Sequence, residues 1–306
     1  KLKEVESVAD RISVIRHGRI TGRFERGEAS SVELARAMTG RASIPEVRTT
    51  GPVRTGGAVV HDERGLTVAG VHGTAVDDVS FEVRRGEIVG VAAVEGNGQH
   101  ELVEALSGLV RPRSGTVTVQ GRDISGATPR EARAAGVAVI PADRREQGVV
   151  GDMTLVENFS LNAVAAGGRR RHGFLDGKRM HDLAVEAVSA FDIRPGRVEA
   201  RAGSLSGGNM QKLVIARELS ADPALVLAVS PTWGLDIGAV ADVRERLVGL
   251  REDGCAIVLS SPDLDEVIDL SDRIIVLYRG CIVAQFDRDD LDTDALAVAL
   301  MGAATV

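Results

Sequence analysis

An α/β fold, a sheet with crossover helices and one inserted helical lobe, is what this sequence predicts, on three observations. From Val76 onward, short β-branched runs alternate with stretches of helical period, and that alternation builds a sheet flanked by helices. Thr154 to Ile193 interrupts it with apolar positions at three- and four-residue steps, as in GKRMHDLAVEAVSAFDI, which marks a helical insertion. A Gly-rich turn stands between the run EIVGVAAV and the amphipathic stretch Asn97 to Leu109, the strand-turn-helix arrangement of a phosphate cradle.

Bulk composition fits such a fold. The 306 residues are 44% hydrophobic, enough for one or two domains with a real core and too many for a disordered chain. A formal net charge of -7, from 44 acidic against 37 basic side chains, argues against a nucleic-acid partner, which needs clustered cations. No apolar run is long enough to span a bilayer, and Lys1 to Asp10 lacks the apolar core of a signal peptide. Cys255 and Cys281 each head an apolar run and read as buried thiols of a reduced compartment rather than a disulfide or metal pair.

In chain order, VDDVSFEV, EIVGVAAV, GTVTVQG and GVAVIP read as strands, with Asn97 to Leu109 as a helix among them. After the lobe come a helix from Asn209 to Ser220, the strand ALVLAV, a helix from Gly238 to Leu250 and the strand CAIVLSS. The closing stretch has a counterpart at the other end of the chain. Lys1 to Gly40 aligns without a gap on Asp263 to Gly302, at an offset of 262, with fifteen of forty positions identical. ADRISVIRHGRITGRF lies over SDRIIVLYRGCIVAQF. Two copies of one domain's C-terminal end, but one copy of what precedes it, are the expectation for the tail of a first domain followed by a second. The division expected is residues 1–40 as a remnant of the first, 41–58 as a linker rich in Pro, Gly and Thr, and 59–302 as the second, with its lobe at about 154–204.

The candidate phosphate loop departs from GxxxxGK followed by Ser or Thr. In AVEGNGQH, Ala93 stands at the first glycine, Gly96, Asn97 and Gly98 form the turn, Gln99 replaces the lysine and His100 the hydroxyl. The chain has four lysines, Lys1, Lys3, Lys178 and Lys212, and none follows a glycine loop of that length. A neutral amide in place of the lysine costs about 1–2 kcal/mol of phosphate binding. From these residues alone, a structural strand-to-helix turn and a weakened phosphate loop both stand.

LSGGNMQK, Leu205 to Lys212, resembles the signature of ATP-binding cassette (ABC) ATPases, in the form of the branch that energises simple-sugar and nucleoside import. GEIVGV, IPADR, SPTWGLDIGA and SDRIIVLYRG follow the family's order and spacing over Val59 to Gly302. The resemblance implies a P-loop NTPase of ABC ATPase type, with a mixed central sheet, an antiparallel β subdomain and the helical lobe. It implies that Leu205, Ser206, Gly207, Gly208, Asn209 and Gln211 form a signature that caps ATP held on an opposite cassette, and that Asp236 is the D-loop residue. A helix opening at Ser206 suits an anion.

The same resemblance marks losses. Val229 falls at the Walker B aspartate, Ser230 at the catalytic glutamate and Pro262 at the switch histidine; Ala142 falls at or near the Q-loop, and Trp233 replaces an arginine before GLD. An apolar Val229 holds no Mg shell, and losing a general base costs about 100-fold to 10,000-fold. The chain alone is expected to be inactive or very weak as an ATPase, and no intact catalytic residue or metal ligand is assigned. Trp233 reads as a surface or interface aromatic, His72 as an exposed loop residue, and His17, His61, His172 and His181 as surface residues without ligand spacing. The implied cofactors are ATP, weak at the chain's own loop and capped in trans, and Mg on the partner cassette. The implied partners are a second cassette, two transmembrane permease subunits and an extracytoplasmic solute-binding protein, with this chain peripheral on the cytoplasmic face of the membrane. The alternative is a non-hydrolytic assembly subunit pairing with a separately encoded intact cassette.

Overall fold

The computed structural model describes residues 5, 7–16, 19–30, 33–34, 37–38, 47–49, 64–73, 75–165, 170–171, 174–303. It opens with a hairpin, β1 (Arg11–Arg16) and β2 (Arg19–Glu25). Then come β3 (Arg64–His72), β4 (Val79–Arg84), β5 (Ile88–Ala92), α1 (Gln99–Ser107), β6 (Ser114–Val119), β7 (Arg122–Asp123), α2 (Pro129–Ala134) and β8 (Val137–Ile140). The lobe holds α3 (Leu155–Ala165), a short ladder of β9 (Arg170–Arg171) with β10 (Phe174–Leu175), and α4 (Gly177–Ala190). The chain continues as α5 (Gly207–Leu219), β11 (Leu225–Val229), α6 (Ile237–Glu252), β12 (Ala256–Ser260), α7 (Leu264–Leu270), β13 (Arg273–Tyr278), β14 (Cys281–Asp287) and α8 (Thr293–Leu300).

A six-stranded mixed sheet, ordered β14-β13-β5-β12-β11-β8, carries the site, and a four-stranded antiparallel sheet, β4-β3-β6-β7, packs beside it. The expected mixed sheet, antiparallel subdomain and helical lobe are all present. The parallel strands β5, β11 and β12 are buried along their whole length, which is why each reads as an unbroken apolar run. One side of the central sheet shares a core with the antiparallel sheet through Val89, Val91, Leu225 and Leu227. The other packs through Ile88, Val226 and Ile257 against Val243 and Leu247 of α6.

Several details differ from the sequence reading. RGLTVAGVH was not read as a strand, because two glycines and two register shifts break its alternation; it is nevertheless the centre of the β3 ladders. His72 is its last residue, paired with Ser114, and so is not in a loop. The β9-β10 ladder lies in a stretch read as helical, where two-residue strands are too short to show a period. Cys255 is buried, and burial pushes its thiol up to about 12, whereas Cys281 is only half-buried at the start of β14; both are free. Within the stretch read as a linker, Thr49 is buried against the end of α7, its amide and hydroxyl donating to the carbonyls of Asp269 and Leu270.

The β1-β2 hairpin repeats the β13-β14 hairpin pair for pair. Arg11 opposes Glu25 as Arg273 opposes Asp287, Val14 opposes Gly22 as Val276 opposes Ala284, and the ladder slips at the same step, after Val14 and after Val276. Among the described residues, β1 and β2 pair only with each other, while β13 is hydrogen-bonded to β5 as well.

Candidate functional site

Two candidate regions sit on different elements. The first is the loop between β5 and α1. Gly98, at φ +102, caps α1 where any Cβ would stand 2.4 Å from the Ala75 carbonyl oxygen, so only glycine fits. Asn97 braces the loop: its side chain donates to the Val94 carbonyl at 2.8 Å and accepts from the Arg279 amide at 2.8 Å. Backbone N-H groups in such a turn are the donors that hold a phosphate, but here the cradle is filled from within. The Gln99 side-chain oxygen accepts the Asn97 N-H at 3.1 Å, and its amide nitrogen reaches Glu95 at 3.4 Å. His100 Nε2 also meets Glu95, at 3.1 Å. Gln99 is buried, while Gly96 and His100 face outward.

Behind this loop, β11 ends in buried Val229, and Ser230 takes a left-handed turn, φ 46, its amide donating to Ser260 at 2.7 Å. Glu95, Gln99, His100, Ser230, Ser261 and Pro262 enclose a cavity of about 40 Å³, room for roughly one water. Gln99 takes up one loop N-H, Glu95 adds a carboxylate at the loop's outer side, and Val229 offers no metal ligand, so the residues present are a poor match to a magnesium nucleotide. Below the cavity, Glu266 of α7 is buried with no well-formed hydrogen bond to either oxygen. Burial pushes its carboxyl up, and Ser261, Thr232 and the Arg244 guanidinium oppose this without reversing it.

The second region is the start of α5. Ser206 is an exposed N-cap whose hydroxyl accepts from the Asn209 amide and from the Asn209 side chain at 2.8 Å. Gly207 and Gly208 are half-buried there, and Asp236, the N-cap of α6, approaches the Gly208 position. Leu205 and Gln211, read as part of the same motif, are instead buried; Gln211 donates to the Pro231 carbonyl at 2.8 Å and ties α5 to the β11 turn. The motif therefore divides into an outward end, Ser206 to Asn209, and an inward anchor.

Arg144, which the sequence reading did not single out, organises this face. It begins a π-turn, Arg144–Gly148, following β8, and its guanidinium donates to the Trp233 carbonyl at 2.6 Å and the Gly234 carbonyl at 3.2 Å. A Cβ on Gly207 would stand 2.6 Å from the same guanidinium. One arginine thus spans three segments, and the local signal was the arginine closing IPADR. Trp233 is exposed, as read, and so is His181, which pairs with Glu199; His17, His61 and His172 lie outside the described residues. Ala142 is half-buried in the wall of a second, much larger cavity between the central sheet and the lobe. No helix among the described residues is long and apolar enough to cross a membrane.

Residues 76–232 match the ABC transporter family. The chain is 39% identical to a glucose import ATP-binding protein of Haloferax volcanii, with 99% of this chain on 55% of that one. It is 37% identical to a nucleoside import ATP-binding protein of Lactococcus lactis (99% on 60%) and 35% identical to a ribose import ATP-binding protein of Rhizobium etli (99% on 58%). It therefore spans 55% to 60% of the length of these relatives. Among solved structures, the ADP conformation of an ABC transporter cassette superposes with a TM-score of 0.65 over 76% of this chain and 95% of that one, at 20% identity. A dimeric cassette bound to ADP and phosphate does so at 0.62 over 73% and 98%, at 22% identity. At such identities the likeness is one of fold.

Proposed function

The chain belongs to the ABC transporter family, and from that premise we propose that it is a degenerate second cassette of an importer ATPase for simple sugars or nucleosides. Its relatives include ATP-binding proteins named for glucose, nucleoside and ribose import. One observation carries the reading: Ser206, the exposed cap of the signature end of α5, faces outward, whereas in the chain's own phosphate loop Gln99 stands in place of a lysine and takes up a loop N-H. In this reading Ser206, Gly207 and Gly208 present a positive helix end to the triphosphate of a nucleotide anchored on a partner cassette, with Asp236 beside them and Arg144 holding the D-loop turn. ATP binds only weakly at the chain's own loop, and the ATP capped by this signature sits with Mg on the partner cassette.

The proposed division of the chain follows the repeat. Residues 1–40 are the C-terminal end of another cassette, 41–58 join the two, and 59–302 are the degenerate cassette. The pairwise identity of register between the two hairpins supports it. Two membrane permeases docked on the lobe and an extracytoplasmic solute-binding protein complete the proposed assembly, with the chain peripheral on the cytoplasmic face.

The test is Mg-ATP hydrolysis by the purified chain. Turnover about 100-fold or more below that of an intact cassette ATPase is expected. Brisk turnover that disappears in a Gln99→Ala variant would place chemistry in the loop itself and sink the proposal.

A further inference from the structure

The cavity between the central sheet and the lobe measures about 540 Å³, within the range of small-molecule sites. Val103 of α1, Val139 of β8, Val229 of β11, Leu161 of α3 and Ala142 supply its apolar walls. Two of these, Ala142 and Val229, stand where the family resemblance places polar groups, so the replacements that empty the nucleotide site of ligands make this space apolar.

Its polar end is built from an ion cluster. Glu218 is buried, with Oε2 accepting from Arg133 Nη1 at 2.5 Å and Oε1 accepting from Arg217 Nε at 3.0 Å and Asn162 Nδ2 at 3.1 Å. Three of its four acceptor positions are thereby taken. Arg217 is 6% exposed and lines the cavity, yet its two terminal amino groups have no acceptor among the described residues. These amino groups are open to the cavity, where they can donate to water or to a ligand. Two guanidinium groups against one carboxylate leave this end one positive charge in excess. Glu104, half-buried, and Glu146, exposed, also belong to the lining, and they disfavour a second negative charge on a ligand.

We propose that this cavity binds a small amphipathic monoanion, a single carboxylate on an apolar body, with the carboxylate on Arg217 and the body against Val139, Leu161 and Val229. The cavity borders the phosphate loop through His100 and Val229, but neither Gln99 nor the signature end of α5 lines it, so anion binding here and ATP hydrolysis are read out separately.

Decanoate is the probe, titrated calorimetrically into the full chain below its micellar range. Saturable one-site binding is expected, strengthening about fourfold per methylene from octanoate to decanoate. Decanol, without the charge, should bind at least tenfold more weakly, and so should decyl phosphate at pH 8, where it carries a second charge. Arg217→Gln should weaken decanoate tenfold or more while leaving decanol unchanged, a split that a mere loss of folding does not produce. Ala142→Phe, which fills the cavity from a half-buried position, should abolish binding of both and keeps the test decisive if Arg217→Gln is unstable. Equal affinities for decanol and decanoate, or decanoate binding untouched by Ala142→Phe, would overturn the proposal.

Discussion

The two hairpins share a backbone plan and an ion pair but not an environment. Asp10 and Arg26 correspond, at the offset of 262, to Asp272 and Arg288, and in both copies the arginine amide donates to the aspartate carbonyl at 2.9 Å. Asp10 and Arg26 are 89% and 56% exposed, with 3.4 Å between their side chains. Asp272 is 4% exposed, lies 3.2 Å from Arg288, and adds a bidentate pairing with buried Arg251 at 2.7 and 2.8 Å and the Ile88 amide at 2.9 Å. The apolar positions part in the same way: Ile15 is 67% exposed, whereas its counterpart Leu277 is fully buried. Local sequence sets a motif's geometry, while the strand beside it sets its energetics, since β5 lies against β13 and supplies both the burial and the extra donor.

The sharpest way to break this comparison is Asp272→Asn. Removing the charge that answers buried Arg251 should cost about 3–5 kcal/mol, read as a fall in the denaturation midpoint, while Asp10→Asn leaves the midpoint where it is. Equal losses in the two variants would mean that burial does not separate the copies. Leu277→Ala should cost about 2–5 kcal/mol by opening a cavity, against about 0.5 kcal/mol or less for Ile15→Ala, measured by urea unfolding.

A subtler effect belongs to Glu266, whose sequence counterpart Glu4 lies outside the described residues. Its folded carboxyl is pushed above the ordinary value by burial, so the folded state holds the proton more tightly than the unfolded one. Its contribution is therefore most favourable below the unfolded value of 4.5 and is lost as pH rises through the folded value. Glu266→Gln should raise the melting temperature at pH 8 relative to the parent and converge with it near pH 4. A parallel offset at both pH values would show that the carboxylate is not the source.

Much of the fold was legible because its signals are local. The apolar runs of β5, β11 and β12 mark buried parallel strands, and the gapless repeat carried the hairpin register down to the slip after Val14. Ser206 as a helix cap was equally legible, since the hydroxyl and the amide it caps are three residues apart. β3 was hidden by Gly65 and Gly70, and the β9-β10 ladder by its shortness. At the sites, the substitutions at Gln99, Val229 and Ser230 were visible, but the filling of the loop by Gln99 and Glu95 needed side-chain geometry. Arg144 reaches carbonyls 89 and 90 residues away, and Arg133 meets Glu218 across 85, so neither partnership has a period or spacing to betray it.

The amino-acid order by itself determined where most strands, helices and caps fall, β3 and the β9-β10 ladder apart, because those choices rest on side-chain periodicity and on hydrogen bonds a few residues long. It also determined the hairpin register shared by the two copies. Only the tertiary structure decided that Asp272 is buried and Asp10 is not, that Gln99 and Glu95 meet within one loop, and that Arg217 opens onto a cavity beside Glu218. These outcomes depend on which distant groups exclude water from a given charge, and solvent exclusion is a property of the packed molecule rather than of any stretch of chain.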